Sequence, residues 1–266
     1  MRIALFTLPA LAAAEAVGRC IDLLGGEIVL LGLSDPYRPA MGGMMGQTWR
    51  HLRRSGVGFL PYLFANFSLP AIAAALGRGP EMPAQAARRH GIPVETIGDV
   101  NSLATHELLR RLGVDLLLSF HFDQIFRVET LAVPALGGIN IHPSLLPLHR
   151  GPVPTLHALR DAAPRFGVTI HRLAAKIDAG GILAQAEIAL PEGVSSIGAA
   201  AALHVAALDM LPGVLADIAA GREQPWFPET RPYCGFPDRA MLAELRARGR
   251  AAANRADVRR ALGRHA

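Results

Sequence analysis

The chain alternates short apolar runs with longer amphipathic ones, and this rhythm predicts its elements. Residues 2–7 (RIALFT) read as a buried strand, 9–24 as a helix stopped by Gly25-Gly26, and 27–33 (EIVLLGL) as a second strand. Strand, helix, strand at this spacing predicts the opening of a parallel α/β sheet. The rhythm returns with a helix over 84–90, a strand in GIPVETI, a helix over 102–112 and a strand in DLLLS (115–119). It continues with a strand over 139–142 and a helix over 154–161. GVTIHRL (167–173) and ILAQAEIAL (182–190) predict two strands joined by a tight turn that carries Asp178-Ala179-Gly180-Gly181. One long alanine-rich helix is expected over 197–219, then a proline- and aromatic-rich segment, then an arginine-rich helical end.

Residues 34–80 break the pattern. They are methionine-rich, aromatic and apolar, and the run is long enough to raise a membrane span. Pro61, Pro70 and Asn66 inside it argue against one. The expectation is a helical insertion packed on the sheet. A lid or apolar acceptor pocket, and an interfacial membrane contact, are the other readings. The N-terminal apolar run resembles a signal peptide only superficially, because Glu15, Arg19 and Asp22 recur with helical spacing.

Composition narrows the class. Half of the 266 residues are hydrophobic and 18% are charged, so a core-forming protein is expected, not a disordered chain. Lys176 is the only lysine against 26 arginines, and the net charge is +5. No basic-aromatic interleaving accompanies that charge, so nucleic acid is not expected as the primary partner. Cys20 and Cys234 form neither a disulfide framework nor a metal-spaced cluster, which points to a reducing, cytoplasmic setting. His90, His106 and His157 lack ligand spacing, so no metal is assigned.

Chemistry concentrates in GINIHPSLLPLHRGPVP (138–154). Asn140 and His142 alternate along a strand end, so both face one side. An amide can donate to a carbonyl oxygen as it becomes an oxyanion, and an imidazole beside it can donate again or move a proton. Alone, an N-x-H at a strand end is more often loop hydrogen bonding. The IDAGG turn adds a carboxylate, Asp178, that can orient and charge-balance a histidine. Ser144 lacks a nucleophile elbow and reads as a loop cap. His149 is expected to face solvent, with acceptor contact as the alternative, and His171 to face solvent or an interface. Trp49, Trp226 and Tyr233 are expected to pack.

The run NIHPSLLPLHRGPVP from Asn140 to Pro154, GVTI from Gly167 and IDAGGILAQ from Ile177 together resemble the signature of the folate-dependent formyltransferases. That family includes the methionyl-tRNA, glycinamide ribonucleotide and sugar N-formyltransferases. The resemblance runs from about residue 84 to 190 and implies a Rossmann-like α/β formyltransferase fold. In it the sheet is mostly parallel, with a helical insertion (about 38–80) and a short C-terminal tail. It implies a catalytic domain over 1–220 and a Pro/aromatic segment with an Arg-rich helical tail over 221–266. By resemblance, an acceptor amine attacks the formyl carbon of 10-formyltetrahydrofolate; Asn140 and His142 stabilise the oxyanion, and Asp178 positions His142. The folate ring is expected against the main chain of Phe122, Asp123, Gln124, Ile125 and Phe126, with Ala174, Ala175, Lys176 and Ile177 as the other wall.

Departures matter too. His121 and Asp123 stand where relatives usually carry small residues. The purine branch has a Gly/Ser-rich phosphate loop after its first strand, where this chain reads FTLPALAA, so a ribosyl phosphate acceptor is not expected. The β-barrel domain of the tRNA branch and the additional domain of the deformylase branch are likewise not expected. The resulting expectation is transfer to a small-molecule amine, either an amino sugar (nucleotide-linked or not) or a hydroxylated amino acid such as hydroxyornithine. A homodimer is the assembly to look for. Hydrolysis of the donor to formate, and a non-enzymatic scaffold that kept the fold, are the rival readings.

Overall fold

A computed structural model describes residues 1–35 and 42–263, with the side chain of Met44 excepted. The start of the expected insertion, 38–41, lies outside the described residues. One seven-stranded sheet organises the chain, in the order β3-β2-β1-β4-β5-β6-β7. Its strands are β1 (Ile3–Thr7), β2 (Ile28–Ser34), β3 (Val94–Ile97), β4 (Leu116–Phe120), β5 (Gly138–His142), β6 (Gly167–Arg172) and β7 (Ile182–Glu187). All pairings from β3 to β5 are parallel. β6 and β7 run antiparallel to their neighbours. The central strands β1 and β4 are buried throughout and apolar at every position except Thr7 and Ser119. Helices on both faces require this, since neither face of such a strand meets water.

Alternate side chains of β1 serve the two faces. Ile3 and Leu5 pack with α1 (Leu11–Leu24), α9 (Ser196–Ala206) and α10 (Leu211–Ala219). Ala4 and Phe6 pack with Leu109 of α6 (Leu103–Arg111) and with Phe126. Local capping agrees with the tertiary arrangement. Ser102 Oγ accepts from Thr105 N at 3.2 Å to start α6, and Ser195 Oγ accepts from Gly198 N at 2.9 Å to start α9. The single helix expected over 197–219 is two, bent by 49° across a short 3-10 turn, Ala207–Asp209. Pro212 lies in the first turn of α10. It has no N–H and its ring would collide with the carbonyl of Leu208, so a straight helix is not available.

The insertion is helical, as expected. It contains α2 (Gly43–Ser55), α3 (Leu60–Leu63), a π-helical turn (Phe64–Ser68) and α4 (Leu69–Ala75). The run Val57–Ala75 is long and apolar enough for a membrane span by length and composition alone. It lies along the body instead: Tyr62, Ala65, Asn66, Pro70 and Ala73 are buried. Within the π turn, Asn66 Oδ1 accepts from Ala12 N at 2.9 Å, satisfying a free donor in the first turn of α1. The remaining helices are α5 (Pro83–Arg89), α7 (Val128–Leu131), α8 (Pro154–Arg160), α11 (Arg239–Ala247) and α12 (Arg255–Ala261).

Segment 222–238 crosses back over the C-terminal edge of the sheet. Trp226 exchanges backbone hydrogen bonds with Ile182 at 3.0 and 2.9 Å. Cys234 N donates to Arg150 O at 2.7 Å. Cys20 is buried, which pushes its thiol up to about 12, and both cysteines are free.

Candidate active site

The C-terminal ends of β1, β4 and β5 open into a cleft of about 1130 Å³. Clefts at this edge of a parallel sheet are where α/β folds bind ligands. On β5, Ile139 and Ile141 point into the core, which turns Asn140 and His142 to the opposite face and onto the cleft floor. Antiparallel β6 places His171 directly across from Asn140 and Thr169 across from His142.

Asn140, His142 and Asp178 were expected on this floor; His171 was not. Asn140 Nδ2 lies 3.1 Å from His171 Nε2. His171 Nδ1 lies 2.8 Å from the Arg172 carbonyl, an acceptor only, so Nδ1 carries the proton and Nε2 receives from Asn140. Burial holds His171 neutral, lowering it to about 4, with Asp178 opposing and His142 assisting that shift. This corrects the expected outward placement of His171, which is 1% exposed. The period-2 face shared by Gly167, Thr169 and His171 carried the signal, but its side was decided only by the pairing with β5.

Asp178 arrives on the β6–β7 connection. This is not a tight turn but a nine-residue loop, 173–181. Asp178 itself has φ +47°, a left-handed conformation that a non-glycine residue adopts only under constraint. Gly151 N donates to its Oδ2 at 2.9 Å. Its Oδ1 then faces two imidazoles, His142 Nδ1 and His171 Nε2, each at 3.7 Å. That is ion-pair range for a charged ring but longer than a hydrogen bond.

Arg150 holds the loop. It is 4% exposed, and its guanidinium donates to the carbonyls of Asp178 (3.0 Å), Arg231 (2.8 Å) and Ile177. The HRG segment, the aspartate loop and the crossing tail therefore meet at one cation. Two glycines make that meeting possible. A Cβ at Gly151, where φ is +136°, would sit 1.9 Å from Cys234 O, and one at Gly180 would sit 1.8 Å from Arg172 O. His149 is likewise not solvent-facing. It lies within 3.0 Å of Asp161 and stacks on His157. Ser144 caps its loop by donating to Leu148 O at 2.8 Å.

Residues of both segments expected to hold the donor line the cleft. Phe122, Asp123, Gln124, Ile125 and Phe126 all border it. Phe122 and Phe126 are anchored on Phe6, with ring centroids at 5.4 and 5.5 Å. Gln124 is fixed by donating to Ile97 O and Ser34 Oγ, both at 2.9 Å, and by accepting from Val100 N at 2.8 Å. Asp123 accepts from Ser34 Oγ. Of the second segment, Ala174 and Ile177 border the cleft, whereas Ala175 and Lys176 lie outside it. His121 adopts φ +44°, stacks on Phe67 and is lowered to about 4 by burial. It thus forms a neutral part of the wall.

At the far end the cleft is bounded by the insertion: Trp49, Arg53 and Arg54 of α2, then Leu63, Phe64 and Phe67. Trp49 and Tyr233, expected to pack, are more than half exposed and border this end. The first-turn amides of α1, where a phosphate cradle would lie, are partly engaged by Asn66.

A family model described as Formyl transferase matches residues 82–215, half of the chain. The chain belongs to the formyl transferase family. A methionyl-tRNA formyltransferase from Roseiflexus castenholzii (strain DSM 13941 / HLO8) is 40% identical over 154 residues, covering 56% of this chain and 49% of that one. The chain spans half or less of the length of such curated relatives. Among solved structures, glycinamide ribonucleotide transformylase 1 from Symbiobacterium toebii superimposes with a TM-score of 0.57 at 19% identity, covering 84% of this chain and 89% of that one. The sugar 3N-formyl transferase WlaRD, determined in the presence of dTdp and 5-N-Formyl-THF, gives 0.55 at 14% identity over 89% and 69%. At such identities these structures establish the shared α/β fold. The insertion up to Leu76 lies before the stretch that the family model matches.

Proposed function

We propose that the protein transfers a formyl group from 10-formyltetrahydrofolate to the amine of a small acceptor. The observation that carries this reading is the convergence of Asn140, His142 and Asp178 on one cleft floor, with residues of both expected donor segments lining the same cleft. The cleft suits the donor: residues of both 122–126 and 174–177 line it, and its volume is above the usual range for a drug-sized ligand, leaving room for an acceptor. The bound donor would supply an activated formyl carbon. Main chain and side chains of Phe122–Phe126, with Ala174 and Ile177, would hold its ring.

In this mechanism Asn140 acts through the N–H that is not given to His171. Its amide cannot flip, because neutral His171 accepts from it at 3.1 Å. That N–H is therefore held ready for the oxygen that gains negative charge when the amine adds. A preorganised donor of this kind contributes about 10²–10³ in rate. His142 supplies a second donor or takes the proton that the amine must lose; as the C–N10 bond of the donor breaks, that proton would pass to N10 of the departing tetrahydrofolate. Asp178, pinned by Gly151 N and by Arg150 on its backbone, balances the charge of His142 as it becomes imidazolium.

The acceptor reading is an amino sugar, nucleotide-linked or not, or a hydroxylated amino acid. Hydrolysis to formate is not favoured, because the cleft continues well past the floor to the insertion, where a water nucleophile needs no walls. The test is incubation of the purified protein with 10-formyltetrahydrofolate and a panel of amines. Donor deformylation and the mass of each amine are followed. Transfer to at least one amine, with little formate when none is added, is expected. Failure to bind any reduced folate overturns the reading.

A further inference from the structure

One feature of the chain is not used by this chemistry. From residue 36 to residue 80 there is no acidic residue, while Arg38, Arg50, Arg53, Arg54 and Arg78 lie within it. Five positive charges and no negative ones give +5, equal to the net charge of the whole chain. Between Arg54 and Arg78 no residue is charged at all. The run Val57–Ala75 nevertheless keeps one face against the body and leaves the other in solvent. On that outer face Val57 is 72% exposed, Phe64 49%, Ile72 49% and Leu76 69%. Pro61, Ala71 and Ala75 are exposed as well. Val57, Pro61 and Phe64 recur at helical spacing, and the π turn widens the next step so that Ile72 and Leu76 continue the stripe.

An apolar stripe this continuous is uncommon on a surface that meets only water. Arginines before and after it are the arrangement of a helix lying in the plane of a lipid interface, with guanidinium groups at the depth of the phosphates. The buried Tyr62, Asn66 and Pro70 tie the opposite face to the protein, so the run lies on a surface and does not cross one. The stripe also meets the reaction cleft, because Phe64 belongs to the stripe and borders the cleft.

We propose that the outer face of Val57–Leu76, with Arg53, Arg54 and Arg78, docks the protein on an anionic lipid bilayer. The mouth of the cleft then opens at headgroup depth, which narrows the acceptor to an amino sugar whose amine is displayed on a lipid-borne headgroup. The statement about the acceptor rests on the formyl-transfer reading; the docking does not.

Flotation of the full chain with phosphatidylcholine vesicles, with and without about one-third phosphatidylglycerol, tests it. Wild type is expected to float with the anionic vesicles, less with the neutral ones, and less as salt is raised. Ile72 and Leu76 do not border the cleft. Ile72→Asp with Leu76→Asp is expected to lower partitioning at least about tenfold. That variant should keep the far-ultraviolet circular dichroism and the rate on a soluble amine. If the double variant misfolds, Leu76→Asp alone at the end of the run provides the same comparison with a smaller loss. Absence of flotation, or equal flotation of the variants, overturns the proposal. So does a wild-type dimer, detected by light scattering, that these substitutions convert to monomer, because a second copy would then cover the face. Loss of formyl transfer on soluble amines with flotation intact would instead count against the reaction assigned above.

Discussion

The two ends of the cleft are built on opposite rules. At the floor the segments that carry the polar groups are tied down by hydrogen bonds. Asn140 is held by His171, Asp178 by Gly151 and Arg150, and the 142–150 loop by Thr169, whose hydroxyl donates to Ser144 O at 2.7 Å and accepts from Leu146 N at 3.1 Å. At the mouth, Trp49, Phe64 and Tyr233 stand about half exposed beside the arginines of α2. The floor lies within the stretch that matches the formyl transferase family; α2 to α4 lie before it. A charge-developing reaction, as proposed, needs donors that do not reorganise, which fits the hydrogen-bonded loops around the floor. Selecting a partner needs only shape, apolar area and charge, which an insertion can vary without disturbing the floor.

Substitutions on the floor sharpen this contrast most. Asn140→Ala, His142→Ala and Asp178→Asn should each lower formyl transfer by about 10²–10⁴ while leaving donor binding within a few-fold. Single-turnover kinetics with a donor titration reads both. Unchanged activity in Asn140→Ala and His142→Ala would falsify the mechanism.

Next in size is Arg150. Arg150→Ala strands the carbonyls of Ile177, Asp178 and Arg231, and should cost about 3 kcal/mol or more in chemical denaturation. It should also lower kcat more than it raises the donor KM, since it frees the loop that carries Asp178. Partial recovery of kcat with added guanidinium at non-denaturing concentration would separate this positioning role from a general loss of stability.

The smallest effect expected is at His171. His171→Leu removes the acceptor that orients Asn140 and should lower kcat about tenfold. His171→Gln, which can still accept, should recover part of it. His171 also links stability to pH. Its folded value of about 4 lies below an ordinary 6.5, so between these the unfolded chain binds a proton that the native protein does not. Stability is therefore complete above about pH 6.5 and falls as pH drops toward 4, on the order of 3 kcal/mol for a shift of this size. Buried His204, lowered to about 3, adds in the same direction. Thermal unfolding across this range should show a shallower acid loss in His171→Leu than in wild type.

Much of this was legible in the chain before any coordinates. The order of strands and helices follows from apolar runs bounded by glycine and proline, because those patterns are local and a buried parallel strand must be apolar throughout. Asn140 and His142 could be paired on one face because the strand period is two. The glycine-rich IDAGG turn marked Asp178 as a candidate partner, but spacing could not show that residues 36 apart would meet; the family resemblance implied that they do. The break at 207–210 was signalled by Pro212, but the expected helix ran through it.

What only the tertiary structure decided were contacts made across the sequence. Nothing near His171 shows which face of β6 is inward; the antiparallel pairing with β5 does. Arg150 is a loop residue by pattern, and becomes a buried clamp only when the 177–178 loop and residue 231 close around it. The exposed stripe on Val57–Leu76 could not be distinguished from a core helix by composition, because apolar residues at helical spacing read the same whether they face protein or not. The physical reason is common to all three. Sequence patterns encode which side of an element is apolar, whereas the partner of a polar or apolar face is set by elements that the chain brings from far away.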